Sequence, residues 1–117
     1  MNITRRQPVS VGEMINEEFL VPMGLTQGQL AEAMGVSRKT VNELCTNRRA
    51  ITADTALMLA TVFGNTADFW LKLQQRNELW KALNIPKRRA RIEKARPVAA
   101  LGLWDHHGTT LTPSDAL

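Results

Sequence analysis

The sequence has one cysteine, no tyrosine and only three phenylalanines among 117 residues. A single cysteine, Cys45, cannot form an internal disulfide, which excludes a small secreted scaffold held together by bridges. Aromatic residues are scarce although the hydrophobic share is 44%, which disfavours a β-sandwich and favours a small helical domain packed with Leu, Ala, Met and Val. At this length we expect one domain with a modest core.

Long apolar runs are also missing. No window approaches the roughly 18 apolar residues that a membrane span needs. The N-terminal stretch MNITRRQPVS carries charge but lacks the apolar run of a signal peptide. We therefore expect a cytoplasmic protein that does not contact a membrane.

Patterns typical of catalysis or metal binding are absent from the sequence. It has no phosphate-binding glycine loop, no His/Cys cluster with metal-ligand spacing and no plausible Ser/His/Asp set. The run from Asp105 to His107 has the right atoms for a metal, but with no cysteine or further histidine nearby we expect none to bind. Cys45 is spaced from Val41 as a buried residue, which favours a structural thiol over a redox sensor. We expect no enzyme activity, cofactor, metal or small-molecule ligand.

Helix start signals recur along the chain. The candidate N-caps, each followed by apolar residues at helical spacing, are Ser10, Thr26, Ser37, Thr52 and Thr66. We expect the first helix to end before Pro22, the second at Gly35 and the third at Asn47, since glycine and asparagine tolerate a positive φ. The longest helix, about residues 66–85, should end at Pro86. No strand-like alternation occurs, so the sequence predicts an all-α fold of five helices.

Positive charge is concentrated in two places. The net charge is +4, yet residues 1–86 have nine Lys/Arg against eight Asp/Glu. The stretch KRRARIEKAR, residues 87–96, has six cations against Glu93 alone. The second patch consists of two pairs, Arg38–Lys39 and Arg48–Arg49, which bracket a short amphipathic segment. Such patches suit an anionic partner, either nucleic acid or the acidic groove of another protein.

Residues 26–46 have the side-chain sizes that a helix-turn-helix requires. Ala31 is small where two helices would cross, and Gly35 can take the positive φ of the turn. Val41 and Leu44 would lock the second helix onto the core. With this face buried, helical geometry leaves the polar residues of the second helix exposed. The segment therefore predicts a DNA-reading helix, whose length suits the major groove.

The predicted DNA contacts follow from this geometry. The residues expected at base edges are Arg38, Lys39, Asn42 and Glu43. Those expected at the DNA backbone are Gln27, Ser37, Thr40, Asn47, Arg48 and Arg49. At least one of Arg48 and Arg49 should contact phosphate, and the alternatives for the other are a pair with Asp54 or a cap on helix carbonyls.

Four stretches carry a family resemblance: GEMINEEFL, the helix-turn-helix itself, NRRAITADTALMLATVFG and DFWLKLQ. Together they resemble the XRE family and, more narrowly, the HigA/VapI-type antitoxins of bacterial toxin–antitoxin modules, over about residues 11–80. The resemblance implies a five-helix, λ-repressor-like domain that dimerises, binds its double-stranded operator DNA and represses its operon. It also implies a HigB-like partner, a RelE-type mRNA-cleaving toxin, and a bacterial cytoplasmic location with nucleoid association on the operator.

The resemblance also assigns roles by motif position. Arg38, Lys39 and Glu43 match base-facing positions of the family, and the backbone-contacting positions are matched by Gln27, Thr40, Asn47 and Arg48. The sequence departs from the family pattern in three places: Val11 stands where Pro is frequent, Asn47 replaces a glycine, and Asn77-Glu78 replaces Tyr-Asp. We expect none of these to remove DNA binding.

Several expectations concern the C-terminal half. Trp70 should lie in the core. We expect a dimer interface at Leu73, Trp80 and Leu83. We expect a DNA-binding domain over residues 1–86, a basic, flexible extension over 87–96 and a disordered tail over 97–117. The extension would assist DNA binding non-specifically, with toxin contact or solubility as alternatives.

The sequence is also compatible with two alternatives to an antitoxin. The chain could be a stand-alone XRE-family regulator without a toxin. It could also be a protein-interaction module that has lost DNA binding. The neighbouring gene would separate the first alternative from an antitoxin, and loss of operator binding on removing Arg38 and Lys39 would argue against the second.

Overall fold

A computed structural model describes residues 6–102, and the regular structure in this range is entirely helical. The helices are α1 over residues 11–23, α2 (Gln27–Met34), α3 (Arg38–Cys45), α4 (Ala53–Phe63), α5 (Ala67–Asn84) and α6 (Pro86–Ile92). A short 3₁₀ helix, Val98–Leu101, follows. The predicted all-α class is confirmed. The metal-type run at residues 105–107 and most of the predicted tail lie outside the described residues.

The local signals that begin the helices work as predicted. Each N-cap hydroxyl accepts a hydrogen bond from the backbone amide three residues later, at 3.1–3.3 Å, and these caps are Ser10, Thr26, Ser37, Thr52 and Thr66. At Thr26 the bond is reciprocated, because its own amide donates to the Gln29 side chain at 2.9 Å and completes a capping box. These caps satisfy amides that a helix start would otherwise leave unpaired.

The predicted end of α1 before Pro22 is wrong. The helix continues from an α-helical start, Val11–Glu13, through a π-helical segment, Met14–Leu20, into a last α-helical turn, Val21–Met23. In the π segment the Val21 amide bonds to the Asn16 carbonyl five residues back. Pro22 then lies at the start of the last turn, where a missing amide hydrogen costs little.

The prediction of five helices missed α6. Ile85 is extended, and Pro86 opens a new helix in its first turn, where the fixed φ of proline favours helix initiation. The residues that follow are mostly Lys, Arg and Ala, which are strong helix formers. An Arg89–Glu93 pair at 2.8 Å adds support at i,i+4 spacing. The sequence showed no apolar stripe here, so local propensity explains this helix better than packing does.

The described chain divides into two compact units, with the boundary after Lys81. The largest fully buried side chains of the first unit are Trp70, Ile15, Leu30, Leu44, Leu59 and Val41. Trp70 is therefore a core residue, as predicted. Its ring lies 5.5 Å from that of Phe19, and its indole N–H donates to the Asn65 side chain at 2.8 Å. In the second unit every described residue from Asn84 onward is exposed.

The segment before α1 is held against α5 by one buried amide. Asn77 is 6% exposed, and its side-chain nitrogen donates to the Val9 carbonyl at 2.6 Å and to the Leu73 carbonyl at 3.4 Å. Gln7 donates in turn to the Asn77 oxygen at 3.4 Å.

Among residues 6–102, none of the helices is both long and apolar enough to cross a membrane.

Candidate nucleic-acid interface

The turn between α2 and α3 has the geometry of a helix-turn-helix. Gly35 ends α2 with a φ of 76°, in the left-handed region that favours glycine. The amides of Gly35 and Val36 both donate to the Ala31 carbonyl, at 2.9 and 3.0 Å. Ala31 itself is only 4% exposed, as expected for a small residue at the helix crossing. The chain therefore reverses within a few residues and sets α3 across α2.

One face of α3 is fixed in the core. Val41 and Leu44 are fully buried, and Cys45 is nearly so. Burial raises the pKa of the Cys45 thiol, because the thiolate would lose its hydration. The predicted burial of Cys45 is confirmed. With this face locked, α3 cannot rotate without exposing its apolar side chains.

The outer face of α3 consists of Arg38, Lys39, Asn42, Glu43 and Thr46, of which all but the half-buried Glu43 are exposed. Within the described part of the chain, the side chains of Arg38 and Lys39 have no hydrogen-bond or ion-pair partner. Two cations side by side on a rigid helix face remain available for an anionic or hydrogen-bond-accepting ligand.

Glu43 is held by Arg49. The Nε and one terminal nitrogen of Arg49 donate to the same Glu43 carboxylate oxygen, at 3.2 and 2.8 Å. This hydrogen bond is the main reason why the pKa of Glu43 lies below its ordinary value, and the positive charges of Arg49, Lys39 and Arg48 lower it further. Arg49 thus pairs with Glu43 rather than with Asp54. Arg48 is exposed and has no such partner among residues 6–102.

Asn47 follows α3 in the left-handed conformation, with a φ of 59°. Its side-chain oxygen accepts from the Gly12 amide at 2.9 Å, and its nitrogen donates to the Ser10 hydroxyl at 3.0 Å. Asn47 therefore satisfies an amide in the first turn of α1, which that helix cannot satisfy itself. The predicted end of α3 is confirmed, and the side chain ties α3 to α1.

The remaining predicted backbone contacts also have partners inside the protein. The Asn42 side chain donates to Gln27 at 3.2 Å, joining α3 to the start of α2. The hydroxyls of Ser37 and Thr40 lie 2.9 Å apart at the first turn of α3. The ten residues predicted to contact DNA thus lie on α2, in the turn at the N-cap of α3, on α3 and in the loop that follows α3. Their contacts with DNA stay predictions.

A helix-turn-helix family model matches residues 17–70. Antitoxin HigA-1 of Vibrio cholerae serotype O1 is 49% identical over 94 residues, which cover 80% of this chain and 89% of that protein. The chain belongs to the HigA antitoxin family of XRE-type helix-turn-helix proteins. This is a family of DNA-binding regulators and not a class of enzymes.

Solved structures of bacterial antitoxins share the fold of this HigA-family chain. Pseudomonas aeruginosa antitoxin HigA with the higBA promoter superposes with a TM-score of 0.69 at 32% identity, over 78% of this chain and 98% of that one. Antitoxin GraA in complex with its operator superposes with a TM-score of 0.70 at 34% identity, over 83% and 95% of the two chains.

Sequence reasoning missed the contacts that hold α3 in this HigA-family chain. A Cβ built on Gly12 would lie 2.4 Å from the Cys45 carbonyl oxygen, so α1 approaches the end of α3 too closely for any side chain. The side-chain nitrogen of Asn16 donates to the same carbonyl at 3.2 Å. Gln74 of α5 holds the loop after α3, accepting from the Ile51 amide at 2.6 Å and donating to its carbonyl at 3.1 Å. A glycine within the first helical turn was the one available signal.

Of the residues predicted for a dimer interface, Leu73 is buried in the core of the protomer, at 7% exposure. Little of its surface is left for a second copy. Trp80 and Leu83 are half-buried. The dimer interface stays a prediction.

Between residues 6 and 102 no cluster of His, Cys, Asp or Glu is suited to a metal ion.

Proposed function

We propose that this HigA-family chain is a sequence-specific DNA-binding antitoxin that represses its own operon and neutralises a HigB-like toxin. The observation that carries the DNA-binding part is the unpaired Arg38–Lys39 pair on the outer face of α3. The opposite face of that helix is buried and cannot turn away. The complexes of P. aeruginosa HigA with its promoter and of GraA with its operator support placing this chain on DNA in the same way.

The proposed mechanism places α3 in the major groove. Its eight residues span about 12 Å at ~1.5 Å per residue, which matches a groove about 12 Å wide. Arg38 or Lys39 would donate to guanine O6 and N7 at the start of the helix. Asn42 would contact adenine, and Glu43 would accept from cytosine N4.

The backbone contacts proposed around this helix fix its register on the duplex. Arg48 lies past the C-terminal end of α3 with its charge unpaired, as a phosphate contact requires. The other predicted backbone residues, Gln27, Ser37, Thr40, Asn47 and Arg49, would contribute weaker contacts because each already has a partner within the protein.

We further propose that the protein binds as a homodimer. Two copies related by a two-fold axis would place their α3 helices about one turn of DNA apart, roughly 34 Å. The half-buried Trp80 and Leu83 are the residues proposed for the interface. A Trp80→Ala protein that stays dimeric in sedimentation would remove Trp80 from it.

The DNA-binding proposal is tested on the DNA upstream of the protein's own gene. Arg38→Ala with Lys39→Ala should abolish the sequence-specific shift of this DNA and leave the circular dichroism spectrum unchanged. Lys72→Ala with Arg76→Ala is the control matched in charge, because both residues are exposed cations on α5. If the double variant shifts the upstream DNA as well as the wild type does, the proposed readout is wrong.

The toxin proposal needs a separate experiment. A HigB-like partner would be encoded beside this gene, as a small basic protein that cleaves mRNA. Co-expression of the two should yield a complex that purifies through a tag on either chain. A neighbouring gene product that does not co-purify, with operator binding intact, would instead indicate a stand-alone XRE-family regulator.

A further inference from the structure

A row of exposed cations runs along α6 and the turn that follows it. Residues 87–96 contain six Lys/Arg and one carboxylate, Glu93. Every residue of this stretch is exposed. It accounts for the net positive charge of the chain, since residues 1–86 are almost balanced, with nine cations against eight anions.

The cations of this stretch divide into paired and unpaired side chains. Arg89 pairs with Glu93 at 2.8 Å. The side chains of Lys87, Arg91 and Lys94 have no hydrogen-bond or ion-pair partner among residues 6–102. Spacings of four and three residues place these three on the same side of the helix and its continuation, away from Arg89. We name Lys87, Arg91 and Lys94 the basic stripe.

We propose that the basic stripe is a non-specific DNA-binding arm that contacts the phosphates of duplex DNA flanking the site bound by α3. This rests on the proposed function, because the α3 helix supplies the specific site. Unpaired, solvated cations are what phosphate contact requires, and each one that neutralises a phosphate releases a condensed counterion. The near-neutral charge of residues 1–86 leaves little other long-range attraction toward a polyanion.

The composition of residues 87–96 favours DNA over an acidic protein surface as the partner. Protein interfaces are enriched in aromatic side chains and depleted in lysine at their centre. Residues 87–96 contain no aromatic residue, and Ile92 is the one large apolar side chain. An arm that binds by charge alone adds affinity and salt dependence without adding sequence preference.

The test compares two variants of the full-length chain. Lys87→Gln, Arg91→Gln and Lys94→Gln together remove the basic stripe. The matched control, Arg89→Gln with Glu93→Gln, removes one cation from α6 and one anion from its C-cap, and leaves the net charge unchanged. Binding is measured by fluorescence anisotropy from 50 to 200 mM salt, on a 40-bp duplex from the upstream DNA and on a random duplex of equal length.

The basic stripe should steepen the salt dependence on both duplexes. Three phosphate contacts contribute about 2.7 to the slope of log K against log salt, per protomer. Raising the salt from 50 to 200 mM lowers the DNA affinity of both proteins. The factor of this loss should be about 40 times smaller, per protomer, for the stripe variant than for the wild type. The ratio of upstream to random affinity should stay the same, and the control variant should keep the wild-type slope.

The outcomes separate the arm from the proposed function. An unchanged slope on the random duplex overturns the arm, even when the wild type binds the upstream DNA specifically. The arm is also overturned if the control variant loses as much of the salt slope as the stripe variant does. If the stripe variant keeps its DNA slope but no longer co-purifies with the neighbouring gene product, the stripe is a protein contact and the proposal is wrong. A wild type that does not distinguish the two duplexes refutes the proposed function, while the random duplex still tests the arm.

Discussion

The guanidinium of Arg49 lies 2.8 Å from the Glu43 carboxylate, across the end of the helix that carries Arg38 and Lys39. The pair joins a residue predicted to read bases with one predicted to contact phosphate. Because Arg49 is engaged, the four cations around α3 are not equivalent: Arg38, Lys39 and Arg48 have unpaired charges, whereas Arg49 orients a carboxylate. Glu43 is consequently fixed on the outer face of α3 before any ligand arrives.

The Glu43–Arg49 pair predicts a specific pH dependence. The pKa of Glu43 is lower in the folded protein than its ordinary value, so its contribution to stability is present above the unfolded pKa and is lost as the pH falls through the folded one. Glu43→Gln should therefore lower the thermal midpoint at pH 7, and the difference from wild type should vanish in the acid range. Parallel melts from pH 7 to pH 3 measure this.

The control for the pH series is Glu32→Gln. Glu32 is exposed and has no ion-pair or hydrogen-bond partner through its side chain among residues 6–102. Its substitution should leave the midpoint nearly unchanged throughout the series. A Glu43→Gln deficit that persists undiminished at pH 3 would mean that packing, and not the ionised pair, underlies the effect.

How much of this structure could be predicted depends on the range of each interaction. The N-caps, such as Ser37, act on an amide three residues away, so the sequence displays both partners together. The Gly35 turn is similarly local. By contrast, the bonds from Gly12 to Asn47 and from Asn77 to Val9 join residues 35 and 68 positions apart. Tertiary packing creates those pairs, and no local pattern indicates them.

The course of α1 through Pro22 shows a second limit of prediction. A proline normally ends a helix, because it lacks the amide and its ring meets the preceding turn. Here the π-helical segment changes the hydrogen-bond register just before the proline.

For the candidate DNA site, the sequence indicated which residues lie on α3. The pairing of Glu43 with Arg49 and of Asn42 with Gln27 depended on side-chain geometry, which the sequence does not show.

Gly12 should tolerate no side chain. A Cβ at this position would lie 2.4 Å from the Cys45 carbonyl oxygen and 2.8 Å from the Asn47 oxygen. The Cys45 backbone cannot move away from this Cβ unless α3 shifts with it. Gly12→Ala should therefore destabilise the protein by about 1–3 kcal/mol. Urea denaturation measures the loss. Since α3 would shift, the specific affinity for the upstream DNA should fall as well.

Gly28→Ala is the matched control for that substitution. Gly28 lies in α2, and its added Cβ would be 3.8 Å from the nearest heavy atom, the Thr26 hydroxyl oxygen. Alanine there should stabilise the helix by about 0.5–1 kcal/mol. Equal effects of the two substitutions would contradict a close approach of α1 to α3.

Asn47 combines a left-handed backbone with two side-chain hydrogen bonds. Asn47→Gly keeps the backbone conformation at no steric cost and loses the bonds to Gly12 and Ser10. Asn47→Ala loses the same bonds and adds strain at a φ of 59°, which costs about 1 kcal/mol more. The free energy of unfolding should therefore be highest for the wild type, lower for Asn47→Gly and lowest for Asn47→Ala. The reverse order of the two variants would show that the left-handed conformation is not what asparagine provides.

Asn77 should be required as a hydrogen-bond donor. Asn77→Leu would leave the Val9 carbonyl without its partner at 2.6 Å and should cost about 1–3 kcal/mol. Asn77→Asp should cost more, because a carboxylate would face both the Val9 and the Leu73 carbonyl oxygens. Gln75→Leu, on the exposed side of α5, should stay within about 0.5 kcal/mol of wild type. Comparable stabilities of the leucine and aspartate variants would contradict the donor role.

Arg48 and Arg49 are adjacent in sequence but should have different effects on DNA binding. Arg48 has an unpaired charge, so Arg48→Gln should lower the salt slope by about 0.9 per protomer, the contribution of one phosphate contact. The charge of Arg49 is largely balanced by Glu43, so Arg49→Gln should change the slope less. It should instead release Glu43 and relax the preference at the base pair that this carboxylate contacts. Anisotropy titrations in salt measure the slopes, and selection from a randomised operator measures the preference. If Arg49→Gln lowers the slope as much as Arg48→Gln and leaves the preference intact, Arg49 is a phosphate contact and does not position Glu43.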